Sequence, residues 1–98
     1  MLTLVEFAEI TKRIIARDGF SAYIPTAVYP DRNEVVVLES VPDGDDLEAV
    51  AVRWAEGKAT DGEEFLVAFK KGPNRFKVVR RHAGVHEDAE FDVAVGDV

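Results

Sequence analysis

The residue types best suited to chemistry gather at residues 82–88, His-Ala-Gly-Val-His-Glu-Asp. Two imidazoles at i and i+4 can share a metal ion when they stand on one face of a helix. Here Gly84 separates His82 from His86 directly after a strand-like run, and the chain has no cysteine and no third histidine. A solvated loop with incidental histidines is the expectation, and no metal ligand is assigned. Asp43-Gly44-Asp45-Asp46 invites a calcium reading, but Leu47 stands at the fifth position and no glutamate closes the loop twelve residues along. Acidic residues before a helix are explained by capping and by the helix dipole. For nucleophilic catalysis the only serines are Ser21 and Ser40, with no G-x-S-x-G and no glycine-rich phosphate loop. Carboxylate pairs such as Glu63-Glu64 are expected by chance among nineteen acids. No catalytic residue, enzyme activity or cofactor is therefore assigned.

The remaining chemical candidate is electrostatic. Residues 70–82, KKGPNRFKVVRRH, hold Lys70, Lys71, Arg75, Lys77, Arg80 and Arg81, and all nineteen acids lie outside them. A stripe of Lys70, Arg75, Lys77 and Arg81 could track phosphates. Equally, lysine and arginine guard the polar faces of strands. With a net charge of −7, polyanions are repelled at long range and are not the expected partner. Residues 83–98 carry Glu87, Asp88, Glu90, Asp92 and Asp97 without a basic residue. Returning antiparallel beside the basic strand, Glu90 and Asp92 would neutralise it from within the chain.

The elements that must position these residues follow from periodicity and capping. Thr3-Leu4-Val5-Glu6 has the form of a capping box, flanked by Leu2 and Phe7 at the hydrophobic-staple positions. Leu4, Phe7, Thr11, Ile14 and Ile15 share a face, and Asp18-Gly19 supplies a stop, predicting a helix over 4–18. Tyr23–Tyr29 and Glu34–Val41 read as strands joined by Pro30-Asp31-Arg32-Asn33, with Val28 facing Val35 and Thr26 facing Val37. Pro25 cannot donate to a ladder, so the first strand is expected to lie at an edge or to break there.

Leu47, Val50, Ala51 and Trp54 form an apolar stripe, and Gly57 is a natural terminator, predicting a second helix over 45–56. Glu64–Lys70 and Arg75–Arg81 read as a second hairpin. Pairing residue 70 with 75 places Phe69 opposite Phe76, Val67 opposite Val78 and Phe65 opposite Arg80, which unites the aromatics on one face. Ala89–Val95 alternates like a half-buried strand, so residues 83–98 are either a fifth strand or a partly disordered acidic tail.

One domain over 1–98 is expected, α+β in class, in the order α-β-β-α-β-β with an optional final β. The expected architecture is a two-layer sandwich, both helices packed on one face of a four- or five-stranded antiparallel sheet. The core candidates are Phe7, Ile14, Val35, Val37, Leu47, Val50, Trp54, Phe65, Val67, Phe69, Phe76 and Val78. Absent cysteine, a basic leader or an apolar run of about 20 residues, the chain reads as soluble and cytoplasmic, without a membrane partner. The order of elements and the acidic charge resemble small bacterial secretion-chaperone-like and immunity-type proteins, a likeness of topology and isoelectric point resting on no motif.

The functional expectation is a non-enzymatic protein-interaction module, homodimeric through a sheet edge or bound to another protein. Tyr23 and Tyr29, together with Lys70, Arg75, Lys77 and Arg81, are the candidate interaction residues. The alternative is a nucleic-acid-binding module using the basic hairpin, residues 70–81.

Overall fold

The structure, a computed structural model, describes residues 2–20, 23–38 and 46–93. Its elements are α1 (Leu4–Asp18), β1 (Thr26–Tyr29), a 3-10 turn (Pro30–Arg32), β2 (Glu34–Val37), α2 (Leu47–Lys58), β3 (Phe65–Gly72), β4 (Arg75–His82) and β5 (Val85–Asp92). The strands form one antiparallel sheet in the order β2-β1-β3-β4-β5. The α+β class and the element order are as the sequence predicts, and the optional fifth strand is present, beginning at Val85, four residues before the expected Ala89. Asp43–Asp45, the end of the second predicted strand at Val41 and the end of the last at Val95 lie outside the described residues.

Helix α1 starts where its caps dictate. The Thr3 hydroxyl accepts from the Glu6 N–H at 3.1 Å, and the Glu6 carboxylate accepts from the Thr3 N–H at 3.4 Å, which satisfies two otherwise orphaned donors. Gly19 closes it at φ +87° with its N–H on the Ile15 carbonyl at 2.7 Å. Phe7, Ala8, Thr11 and Ile15 are buried. The Thr11 hydroxyl donates back to the Phe7 carbonyl at 2.9 Å, which lets a polar residue sit in the core without an unmet group.

In the first hairpin the register is the predicted one, Thr26 with Val37 and Val28 with Val35, and Asn33 supplies the left-handed residue of the turn at φ 50°. Strand β1 begins immediately after Pro25 and pairs on both sides, so of the two expectations the break at the proline holds and the edge position does not. The edge is β2. In consequence Val35 and Val37, expected in the core, are exposed by 64% and 47%.

The second hairpin departs from expectation by one residue. Val67 pairs with Val79, Ala68 with Val78 and Lys70 with Phe76, with an irregularity between Lys70 and Gly72. An extra residue at that bulge shifts the register, and a one-residue shift exchanges the faces. Phe65, Val67, Phe69 and Val79 therefore pack with α2, whereas Leu66, Ala68, Phe76 and Val78 pack with α1.

The two helices accordingly lie on opposite faces of the sheet rather than together on one. The cause is visible in β3, where Phe65-Leu66-Val67-Ala68-Phe69 are all buried. A strand covered on both faces needs apolar residues at every position, not at alternate ones. Burying each of these larger side chains is worth about 1.5–3 kcal/mol.

Helix α2 approaches β3 through Ala51 and Ala55, both fully buried, while Trp54 and Val52 pack only partly against the same cluster. Leu47 and Val50 are half-buried. The stripe is thus centred one turn later than predicted, and the helix runs through Gly57 to end at Lys58. Asp46 stands at the N-cap, where among the described residues its side chain makes no capping hydrogen bond.

Each helix covers only part of its face. Helix α1 crosses β3, β4 and β5, Val28 of β1 packs against the same cluster, and β2 carries the exposed end of that face with Val35 and Val37. Helix α2 rests on β3, with Ala27 and Tyr29 of β1 and Val79 of β4 in the same cluster, and its first turn reaches Lys77 of β4 through Glu48.

Candidate functional site

Around the buried Val79, the β4–β5 end of the α2 face is ionic and internally matched. Strand alternation lines Arg75, Lys77 and Arg81 along this face of β4, and the register sets Asp92, Glu90 and Asp88 beside them on β5. Arg75 Nε donates to Asp92 at 2.9 Å, and Arg81 Nη1 donates to Asp88 at 2.7 Å. Lys77 Nζ reaches Asp88 at 3.6 Å and bonds Glu48 in the first turn of α2.

The side-chain hydrogen bond to Asp92 raises the Arg75 guanidinium above its ordinary value. The one to Glu48 raises the Lys77 ammonium, against the opposing effect of burial. Burial pushes the Asp88 carboxyl up, but Arg81 and Lys77 together outweigh it and hold the carboxyl below its ordinary value.

The predicted basic stripe is divided between the faces. Lys70 pairs with Phe76 on the α1 side, where its ammonium lies 5.0 Å from the Phe20 ring centroid. Arg80 also faces α1. Its Nη2 stands 2.6 Å from Glu64 and its Nη1 3.8 Å from Glu87, and the Glu64 side chain is only 3% exposed. That pair was not legible in the sequence, because the predicted register sets Glu64, the first residue of its strand, opposite Arg81 rather than near Arg80. A phosphate approaching Arg75, Lys77, Arg80 or Arg81 must compete with a carboxylate already in place.

Of the two tyrosines, Tyr29 is fully buried, and its hydroxyl donates to the Ala55 carbonyl at 2.7 Å. Arg32 stacks over its ring at 4.2 Å. Its place is under α2, not on a surface. Tyr23 stacks on Phe20 with ring centroids 6.1 Å apart, and its buried hydroxyl has no hydrogen-bond partner among the described residues. Burial raises that phenol far above its ordinary value.

The histidines flank the two-residue turn Ala83-Gly84, where both φ angles are positive. His82 pairs with Val85 and His86 with Arg81. Successive rungs of a ladder point to opposite faces, so the two imidazoles cannot converge on one ion. Among the described residues no group of three or more histidines and acids is placed to hold a metal, and no helix is long and apolar enough to cross a membrane.

The exposed end of the α1 face differs in kind. Val35 and Val37 of β2 lie there beside Ile24, which is 41% exposed. An apolar hollow of about 140 Å³ runs alongside, lined by Ile14, Ile15, Tyr23, Ile24 and Val37 among others. The two edges of the sheet also differ. Strand β5 carries Glu87, Asp88, Glu90 and Asp92, whereas β2 carries one charge, Glu34 at its start. Charged residues protect an edge from pairing, and β2 has almost none. What the sequence does show is the run Glu34-Val35-Val36-Val37-Leu38, although alternation alone assigns half of it to the core. Compared with known proteins, the chain matches no family model, no curated protein and no solved structure.

Proposed function

We propose that this chain is a non-enzymatic protein-interaction module whose working element is the β2 edge. The observation that carries the reading is the exposed, nearly uncharged strand Glu34–Val37 at the end of the sheet. An edge of this kind offers main-chain donors and acceptors to an added strand, with alternate side chains reading its identity. Engagement of Arg75, Lys77, Arg80 and Arg81 by in-chain carboxylates supports placing the contact here rather than on the basic hairpin.

The test is a Val35→Lys/Val37→Lys variant that keeps the wild-type circular dichroism. Under this reading it loses the protein association that wild type shows. An association indifferent to both lysines sinks the reading. Retention of DNA or RNA by wild type at low salt, lost on Arg75→Glu/Lys77→Glu, would sink it in favour of the nucleic-acid alternative.

A further inference from the structure

We infer that the occupant of the β2 edge is a second copy of this chain, with the two β2 strands antiparallel about a two-fold axis through Val36. This rests on the reading of β2 as an interaction edge and adds both partner and register.

The first argument is the phase of the ladder. The Leu38 N–H donates to the Pro25 carbonyl at 2.9 Å. In an antiparallel pair the bonded rungs alternate, so with Val36 opposite Ala27 and Glu34 opposite Tyr29, those residues also bond toward β1. The main-chain groups of Val35 and Val37 therefore point outward. A two-fold axis at Val36 sets Val35 against Val37 of the copy and Val37 against its Val35. Both outward residues on each strand are then satisfied by the same two residues of the other.

The second argument is charge. With the axis at Val36, Glu34 and its copy stand four residues apart along the strands, roughly 13 Å at about 3.3 Å per residue. That exceeds the ~8 Å screening length at physiological salt. Moving the axis to Val35 halves the offset to about 7 Å, inside that length. A charged partner gains nothing from Val35, Val36 and Val37, whereas an apolar patch complements itself across a two-fold axis. Strand β5 of another copy is a poor alternative, because four carboxylates line it and a β2-to-β5 contact does not close.

The third argument is access. Among the described residues helix α1 has its main contacts with β3, β4 and β5, and Val35 and Val37 on the α1 side of β2 are exposed by 64% and 47%, within reach of a copy. The four valines at positions 35 and 37 would then form one continuous stripe.

The chain has no cysteine, so Val36→Cys introduces a single thiol on the proposed axis. Residues facing each other in a non-bonded antiparallel rung have Cα atoms about 4.5 Å apart, within the ~4.4–6.8 Å that a disulfide spans. Mild oxidation of Val36→Cys is expected to give a covalent dimer, and of Glu34→Cys none. Light scattering of wild type is expected at twice the 10.8 kDa chain mass, falling to one chain mass in Val35→Lys/Val37→Lys. Cross-linking through position 34 and not 36 overturns the register. A wild-type monomer at high micromolar concentration overturns self-pairing. If that monomer binds a different protein through Val35 and Val37, the edge reading survives. A dimer unaffected by both lysines overturns edge and copy together.

Discussion

Replacing Glu64 by leucine tests the ion pair beneath α1. Glu64 is 3% exposed and Arg80 15%, and both Nε and Nη2 of Arg80 converge on one Glu64 oxygen, at 2.7 and 2.6 Å. Removing one partner of a buried pair costs about 3–5 kcal/mol, because the surviving charge has been taken out of water. Glu87, 3.8 Å from Arg80 and 43% exposed, still offsets part of that charge, which places the cost near the lower end, about 3 kcal/mol. A domain of this size is stable by about 5–15 kcal/mol, and each kcal/mol moves its melting temperature by about 4–8 °C. Glu64→Leu should therefore lower Tm by roughly 12–24 °C, with a matching fall in the urea midpoint. The double variant Glu64→Leu/Arg80→Met removes the stranded charge and should recover most of the loss. Urea melts of wild type, single and double variants decide the matter. A single variant costing less than about 1 kcal/mol would mean that water reaches the pair. A double variant worse than the single would mean that the pair itself, not the charge left behind, is what stabilises.

Three further outcomes are expected. Tyr29→Phe deletes the bond to the Ala55 carbonyl without changing the packing and should cost about 1 kcal/mol in a denaturant melt. Ala83→Asn should stabilise by about 0.5–1 kcal/mol, because the two-residue turn needs positive φ at both positions and asparagine before glycine accepts it best; an unchanged melt would contradict that. Because Asp88's folded-state pKa lies below the ordinary 3.8, its contribution is present above about pH 4 and is lost as pH falls through the depressed value. Asp88→Asn should flatten the stability profile there by a few tenths of a kcal/mol, since the pairs are partly exposed.

Local signals were legible wherever local chemistry decides the outcome. The capping box at Thr3 and Glu6, the stop at Gly19 and the register of β1 with β2 depend on neighbours a few residues away, and each stands as the sequence implies. The register of β3 with β4 does not. Pairing Phe69 with Phe76 satisfies a sheet with one buried face, whereas this sheet has two, and only placement of α1 and α2 on opposite sides reveals that. The unbroken run from Phe65 to Phe69 held the clue. The exposure of Val35 and Val37 was illegible for the same reason, since a valine at an edge has the same pattern as one in a core. Proximity of the acidic final strand to the basic one was readable from charge, but the dominant partner is Asp88 rather than Glu90, because Asp88 sits between the rungs of Lys77 and Arg81.

The seam between β1 and β3 governs how the chain reaches its fold. Strands β3, β4 and β5 form a meander of adjacent hairpins, which can close early because short loops cost little entropy. Residues Thr26–Val28 must then find Leu66–Ala68 from across the chain, a later and slower event. A meander closed before that pairing would present Phe65–Phe69 along a bare edge, a run of five apolar residues with the composition that drives strand-to-strand aggregation. In the folded chain β1, with its β2 hairpin partner attached, is the cover of that edge.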